Sequence, residues 1–277
     1  MYIMSFHVDI HLPTDTKCDN GFMLPPLFDS HMHIIDPRHP LVPNRGYIPP
    51  PFHVDDYLQR VRGLNVIGGA VVAGSFQAFD TGHLVAALKK LGPDFVGVAQ
   101  VPEDISDSEI LRLDAGGIRA VRFNLARGGS AGAEALDSLA RHVHEVAEWH
   151  TELYVDARHL PELHDTLAAL PAVSIDHLGM SREGLPHLLR LVEAGVKVKA
   201  TGFGRLDFPA VESIRAIMDI DPTALMAGTD LPSTRAETPF QDSDLELLRD
   251  TIGPEHVEAV FHRNAEAFYL DPVSVEV

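Results

Sequence analysis

Leu27-Phe28-Asp29-Ser30-His31-Met32-His33 begins as a short apolar run and ends with two histidines one residue apart. Residues i and i+2 of a β-strand point to the same face, so both imidazoles are predicted to project from one strand end into one cavity. Histidine binds metals when neutral and transfers protons near neutral pH. An open doubly wound sheet would be expected to carry a glycine-rich phosphate loop after its first strand, where this chain has His31-Met32-His33. The stretch therefore favours a closed barrel with a metal site or a proton-handling site at its mouth.

The composition limits the kind of protein and the partners it can have. Hydrophobic residues make up 45% of the 277 residues, which is enough for a large core. The net charge of −18 argues against nucleic acid or an anionic membrane as a partner, so an anionic substrate would need a local cluster of arginines. The single cysteine, Cys18, excludes an internal disulfide and is typical of a reducing compartment.

Targeting and membrane signals are missing from the sequence. Its apolar stretches are all shorter than the roughly 18 residues that span a bilayer. Residues 1–24 lack the basic start and apolar block of a secretory signal. The sequence thus predicts a cytoplasmic protein and leaves a homo-oligomer open.

After about residue 26, short apolar runs alternate with segments of helical periodicity. The predicted strands are 27–31, 66–73, 95–101, 118–125, 152–157, 173–177, 196–201 and 224–229. The predicted helices are 54–62, 82–91, 106–113, 133–150, 160–170, 185–194, 210–218, 244–251 and 255–269. This alternation predicts an α/β fold, a single-domain (β/α)8 TIM barrel over 25–277, with an N-terminal extension over 1–24.

Polar side chains gather at the carboxyl ends of the predicted strands, where TIM barrels have their active sites. In chain order they are His31, His33, Ser75, Arg122, Asn124, Arg127, Tyr154, Asp156, His177, Arg182, Lys199, Thr201, Arg205 and Asp230. Several have simpler explanations: Asp156 can cap a helix, Lys199 can pair with a carboxylate, and Ser75 can be a turn residue. The paired histidines could also be surface residues, since the chain has 16. An aspartate after the last strand, as at Asp230, is more often catalytic.

A set of motifs in fixed order carries a family resemblance. The motifs are Asp29-Ser30-His31-Met32-His33, Val121-Arg122-Phe123-Asn124, Ile175-Asp176-His177-Leu178-Gly179, Gly228-Thr229-Asp230-Leu231-Pro232 and Arg263-Asn264-Ala265. With them the chain resembles the amidohydrolase superfamily from residue 27 to its end. Within that superfamily it is similar to the branch that contains 2-pyrone-4,6-dicarboxylate lactonases and sugar-acid lactonases.

The resemblance also bears on metal content. Binuclear members of the superfamily carry a lysine or glutamate at the end of strand four, where this chain has Arg122 and Asn124. The resemblance therefore implies that there is no binuclear site, and within this branch it implies hydrolysis with no required metal. A single Zn²⁺ or Mn²⁺ remains open as a cofactor. Its ligands would be His31, His33, His177 and Asp230.

The activity implied by the resemblance is hydrolysis of the carboxylic ester of a small anionic lactone. Asp230 is the predicted general base that activates water and then passes the proton to the leaving oxygen, while His31, His33 and His177 polarise the carbonyl. Guanidinium matches carboxylate bidentately, so arginines are the predicted anion-binding groups. The predicted substrate-binding residues are Arg122, Arg127, Arg205, Arg182, Tyr154, Ser75 and Tyr47.

Three alternatives stay open at this point. The same superfamily includes metal-dependent non-oxidative decarboxylases, which use His-x-His, a later histidine and an aspartate after strand eight. A sugar-acid lactonase would act on a neutral ring and would need fewer arginines. A non-catalytic binder of organic acids is disfavoured, because a binder has no need of a carboxylate facing three imidazoles.

Overall fold

The computed structural model describes residues 24–270, in which eight parallel strands form one sheet in chain order. The strands are β1 (Leu27–Met32), β2 (Val66–Val72), β3 (Phe95–Ala99), β4 (Ile118–Asn124), β5 (His150–Tyr154), β6 (Val173–Ile175), β7 (Lys197–Ala200) and β8 (Leu225–Ala227). The helices are α1 (Val54–Arg60), α2 (Gly82–Leu91), α3 (Asp107–Ala115), α4 (Leu136–Ala147), α5 (His164–Ala169), α6 (Leu185–Glu193), α7 (Ala210–Ile220), α8 (Asp242–Ile252) and α9 (Asn264–Tyr269).

The sheet closes at the end where the histidine motif lies. The amide of Asp230 donates to the carbonyl of His31, and the amide of His33 donates to the carbonyl of Leu231, both at 2.7 Å. These hydrogen bonds join β1 to the segment that follows β8, and the predicted TIM barrel is confirmed. The predicted extension over 1–24 lies outside the described residues except for Leu24.

The helix ends follow local chemistry. The hydroxyl of Ser106 accepts from the amide of Glu109 and caps the start of α3. Glu148 adopts a left-handed conformation with φ of 57° and ends α4. The prediction of a helix through residue 150 was therefore wrong at its end, because His150 already belongs to β5. The strand itself begins two residues before its predicted start and ends at Tyr154.

Strand alternation separates two apolar regions. Side chains such as Val71 and Val121 face the surrounding helices and form the larger region. Inward side chains fill the lower part of the barrel, where Phe28 stacks on Tyr269 at 5.5 Å. Each fully buried large apolar side chain contributes roughly 1.5–3 kcal/mol to stability.

β4 carries two arginines, and the structure shows which of them points inward. Arg119 turns to the helix side and donates to the carboxylate of Asp114 at 2.9 Å. Arg122 is buried inside the barrel.

Among residues 24–270, no helix combines the length and the apolar character needed to cross a membrane.

Candidate active site

His31 in β1 and His33 just after it both face inward, because the strand is irregular. The pairing of β1 with β2 shifts register between Asp29 and Met32. Phe28 lies in the lower apolar region, and His31, three residues later, also faces the interior. The rings of His31 and His33 lie 5.0 Å apart and perpendicular. The two rings therefore lie close together in the barrel interior, and His33 lines the cleft.

Four side chains converge at the mouth of the barrel, and we call them the mouth cluster: His31, His33, His177 and Asp230. Oδ1 of Asp230 lies 3.9 Å from Nε2 of His31, 3.7 Å from Nε2 of His33 and 3.9 Å from Nε2 of His177. All four side chains are buried. They come from the ends of β1, β6 and β8, so barrel closure brings together residues that are about 200 positions apart.

Hydrogen bonds on the far side of the rings decide which imidazole nitrogen carries the proton. Nδ1 of His33 lies 2.7 Å from the carbonyl oxygen of Val72, which can only accept, so Nε2 of His33 carries a lone pair. Nδ1 of His31 lies 3.2 Å from the carboxylate of Asp176 and 3.4 Å from the ammonium of Lys199, and the acceptor-only carboxylate favours the proton on this nitrogen. His177 differs, because its Nδ1 faces the hydroxyl of Thr201 at 2.8 Å, which can donate or accept.

The electrostatic environment keeps the three imidazoles neutral. Burial is the largest cause that lowers the pKa of each of them. Nearby positive charge adds to this effect, since Arg205 lowers the pKa of His177 further. Neutral imidazoles are the form that binds metals.

The mouth cluster fits a single divalent cation. Nε2 of His31 and Oδ1 of Asp230 are buried and have no hydrogen-bond partner among residues 24–270. Lone pairs facing one another at one point repel unless a cation or a proton lies between them. In a tetrahedral zinc site with bonds of about 2.0–2.1 Å, ligand atoms lie roughly 3.4 Å apart. The imidazole nitrogens lie 3.9, 3.7 and 3.9 Å from Oδ1 of Asp230, and the ligand atoms of His31, His177 and Asp230 all lie within 4.8 Å of one another. The donor set, three nitrogens and one carboxylate oxygen, is one that Zn²⁺ accepts.

Below the mouth cluster lies a buried group of ion pairs, which we call the lower network: Glu152, Lys199, Asp176 and Arg122. Nζ of Lys199 lies 2.5 Å from Glu152, 3.5 Å from Asp176 and 3.4 Å from Nδ1 of His31. The oxygens and nitrogen around it, from His31, Glu152 and Asp176, have the spacing of a second metal site. The ammonium group already lies among these atoms, so this position holds a protein cation.

The lower network orients His31. Arg122 donates to Asp176 at 2.7 Å and to the carbonyl of Ala73 at 2.5 Å, which fixes the carboxylate that faces the imidazole. Burial raises the pKa of Asp176, yet the contact with His31 and the charges of Lys199 and Arg122 bring it well below the usual value. Burial likewise opposes ionisation of Glu152, and Lys199 overcomes it, so that the pKa of Glu152 is about 2. Both carboxylates are therefore ionised at neutral pH.

Asp230 is held from two directions. Nε and Nη2 of Arg205 lie 2.8 and 2.7 Å from its Oδ2, which leaves Oδ1 to face the imidazoles. The backbone of Asp230 has φ of 59°, a conformation that non-glycine residues rarely adopt and that is often found at functional sites. Next to it, Thr229 donates to the buried carboxylate of Asp29 at 2.7 and 2.8 Å. Burial raises the pKa of Asp29 to about 6.

The cleft above the mouth cluster is rich in arginine. It is lined by His33, Gly74, Ser75, Phe76, Arg122, Asn124, Arg127, Tyr154, His177, Arg205, Thr234 and Arg235. The guanidinium of Arg127 lies over the ring of Tyr154 at 5.9 Å, and that of Arg235 lies over the ring of Tyr47 at 4.3 Å. Neither forms an ion pair with a carboxylate in the part of the chain that the structure describes. In a chain of net charge −18, two such cations indicate a site for an anion.

The structure brings most of the predicted substrate-binding residues to the cleft, but in different roles. Ser75, Tyr154 and Arg127 line it directly. Arg122 also lines it, but only its Nε lacks a partner among the described residues, because its other nitrogens bind Asp176 and Ala73. Tyr47 supports Arg235 from behind.

Arg182 is not brought to the cleft. Its side chain is 58% exposed and pairs with Glu212 at 2.8 Å on the surface. Its predicted role in substrate binding stays a prediction with no geometric support. Residues that the sequence reading passed over are Glu152 and Arg235. The position of Arg235 just beyond β8 resembles that of Arg127 beyond β4, and this could have singled it out.

A larger cavity of about 670 Å³ lies beside the cleft, between the segments that follow β4 and β5. It shares Asn124 with the cleft and is lined by apolar residues such as Leu125 and Met180 and by Asp156, His159 and Glu162. None of the mouth cluster lines it. The candidate active site is therefore the smaller cleft, because His33 and His177 of the mouth cluster line it together with four arginines.

Comparison with known proteins identifies relatives of the whole barrel. A family model described as amidohydrolase matches residues 28–270. A 2-pyrone-4,6-dicarboxylate hydrolase of Comamonas testosteroni is 33% identical over 156 residues, which are 54% of this chain and 51% of that protein. The alignment thus spans about half the length of that relative.

Solved structures show the same fold. A Pseudomonas putida protein provisionally assigned as a 2-pyrone-4,6-dicarboxylic acid hydrolase superposes with a TM-score of 0.73 at 25% identity, over 88% of this chain and 97% of that chain. An Agrobacterium tumefaciens protein in its apo form superposes with a TM-score of 0.79 at 20% identity, over 89% of this chain and 96% of that chain. At 20% identity the second likeness concerns the fold alone.

Proposed function

This chain belongs to the amidohydrolase family, and from that premise we propose that it is a hydrolase that opens the ester of a small lactone bearing carboxylates. The observation that carries the proposal is the combination of Asp230 facing three neutral imidazoles with two cleft arginines that lack carboxylate partners among residues 24–270. The relative in Comamonas testosteroni, a hydrolase of a dicarboxylated pyrone, supports the substrate class.

In the proposed mechanism, Asp230 handles the proton. Its Oδ1 takes a proton from the attacking water, and the same oxygen then delivers the proton to the departing ring oxygen. Arg205 holds Oδ2 throughout, so the carboxylate cannot rotate away from the water. The buried position excludes bulk water, which strengthens each electrostatic interaction with the developing oxyanion.

The three imidazoles are not equivalent in this mechanism. His177 is the one whose neutral form can donate from Nε2 to a substrate carbonyl, because the hydroxyl of Thr201 can serve as donor to Nδ1. His31 and His33 present lone pairs at Nε2 instead. They therefore suit the role of metal ligands better than the carbonyl-polarising role predicted from the sequence.

A divalent ion in the mouth cluster would supply Lewis-acid chemistry when bound, with His31, His33, His177 and Asp230 as the residues that would hold it. The fit of these residues keeps a second candidate function in view, a metal-dependent non-oxidative decarboxylase. The two reactions differ in their products: hydrolysis adds one water to the substrate, and decarboxylation releases carbon dioxide.

The deciding experiment measures turnover of a panel of lactones, with and without carboxylates, by metal-stripped protein and after addition of Zn²⁺ or Mn²⁺. We expect ring opening with the mass gain of one water, and faster turnover of the carboxylated members. Release of carbon dioxide would replace the lactonase proposal with the decarboxylase. Equal turnover of neutral sugar lactones would overturn the proposed substrate class.

A further inference from the structure

The long segment between β1 and α1 contains a tight hairpin, residues 44–47, which contacts two arginines of the cleft and which we call the hairpin tip. The amide of Asn44 donates to the carbonyl of Tyr47 at 3.0 Å, and the amide of Tyr47 donates back at 3.1 Å. Arg45 and Gly46 between them have φ of 49° and 76°. Two consecutive left-handed residues are the signature of the two-residue type I′ turn, a rigid connection. The tip therefore presents Asn44 in a defined orientation.

Asn44 contacts both cleft arginines at once. Its Nδ2 donates to the carbonyl of Arg127 at 3.1 Å, and its Oδ1 accepts from Nη1 of Arg235 at 3.0 Å. The carbonyl of Asn44 accepts from Nη2 of the same guanidinium. One residue of the hairpin tip thus links the segment after β4 to the segment after β8.

The contacts of Asn44 oppose an electrostatic tendency. Arg127 and Arg235 carry like charges, and burial together with the neighbouring Arg127 lowers the pKa of Arg235. Asn44 fixes the guanidinium of Arg235 and the backbone that carries Arg127, while the ring of Tyr154 contacts the guanidinium of Arg127, so the two like charges stay close together. Holding them in place in advance reduces the ordering cost that the anion would otherwise bear on binding.

The chemistry of the side chain matters as much as its position. The amide of asparagine donates from one end and accepts at the other, which the carbonyl of Arg127 and the guanidinium of Arg235 require together. Aspartate would retain the acceptor, lose the donor and add a charge that competes with the substrate. Alanine would lose both contacts while the backbone of the turn remains.

We propose that Asn44 is a positioning residue that holds Arg127 and Arg235 together as one anion clamp, and so sets the affinity for carboxylated substrates with no part in ring opening. This inference rests on the proposed function for its substrate. Both guanidinium groups retain N–H groups that can bind the anion. Arg235 has five N–H groups, and Arg127 contacts the ring of Tyr154 through the face of its guanidinium, which leaves the N–H groups at its edge.

The test compares Asn44→Ala, Asn44→Asp, Arg235→Met and Asn44→Ala/Arg235→Met with the native protein, and Val42→Ala is the control because Val42 is an exposed residue of the same segment. We expect Asn44→Ala to raise KM for a carboxylated lactone about 10-fold with kcat within about 2-fold. KM for a carboxylate-free lactone should not change. Asn44→Asp should raise KM further. When Arg235 is already methionine, Asn44→Ala should change KM little, because Asn44 acts through Arg235.

Binding of isophthalate, measured by calorimetry, separates this inference from the proposed function. Weaker isophthalate binding by Asn44→Ala, with Val42→Ala unchanged, supports the clamp even if no lactone is turned over. Unchanged KM and unchanged isophthalate binding in Asn44→Ala would overturn it. An equal loss of kcat on both lactones, or an Asn44 effect that persists in full without the Arg235 side chain, would also overturn it, since either result indicates a general structural role.

Discussion

The upper and lower halves of the barrel interior are built on the same strands and differ sharply in chemistry. Near the carboxyl ends the inward positions carry the mouth cluster and, directly below it but still in the upper half, the lower network. Below them, the inward positions carry apolar side chains such as Phe28, Val96 and Met226. The left-handed backbone at His177 and Asp230 lies at the upper end, where surrounding contacts maintain it. We infer that the apolar lower half stabilises the barrel. This stability offsets the cost of the charged groups that are buried in the upper half.

The comparison predicts its largest effect at Asp230. Asp230→Asn should lower kcat/KM on the true substrate by about 10³-fold or more, because the proton acceptor is lost while the shape is kept. The melting temperature should change little in comparison. Turnover assays with calorimetry test this, and near-normal turnover by the variant would contradict the proposed mechanism.

A change in the lower half should do the opposite. Met226 is fully buried, and Met226→Ala should lower the free energy of unfolding by about 2–5 kcal/mol through lost contacts and a cavity. KM and kcat of the folded enzyme should stay close to native values at low temperature. Denaturant titration and steady-state kinetics measure both quantities. If Met226→Ala lowered kcat and left the free energy of unfolding unchanged, it would contradict the proposal that the lower half serves stability and the upper half serves catalysis.

The lower network should make stability depend on pH in acid. The pKa of Glu152 is lowered from 4.5 to about 2 in the folded protein, so its stabilising contribution is complete above pH 4.5 and is lost as pH falls toward 2. The free energy of unfolding should drop over this range by an amount on the order of 3 kcal/mol. Glu152→Gln should show a shallower slope. If the free energy of unfolding falls equally steeply with pH in the native protein and the variant, Glu152 is not the group that makes stability depend on pH.

The smallest effects should distinguish the arginines of the cleft from those of the surface. Arg127→Met should raise KM for a carboxylated lactone about 10-fold and leave a carboxylate-free lactone unaffected. Arg182→Met should change neither, because Arg182 pairs with Glu212 outside the cleft. A matching rise in KM for Arg182→Met would restore the role predicted from the sequence.

The barrel and the convergence of its four polar mouth residues were within reach of the sequence. Strand and helix periodicity is a local property, and in a parallel barrel every strand ends at the same rim, so residues such as His31 and Asp230 could be placed together without knowledge of packing. The shift of β5 was missed because the end of α4 depends on one left-handed residue, Glu148, which has no distinctive sequence signal.

Tertiary structure alone decided how the buried charges are partnered. Lys199 contacts Glu152 across 47 positions of sequence, Arg122 is engaged by Asp176 across 54, and Asn44 reaches Arg235 across 191. Such contacts depend on strand register and on the path of long loops, and an arginine that binds substrate has the same sequence appearance as one that positions a carboxylate. The sequence by itself determined that three histidines and Asp230 meet at the rim, because periodicity is local. Packing determined which arginines join them and what each residue does there, because a charge takes its role from its neighbours in space.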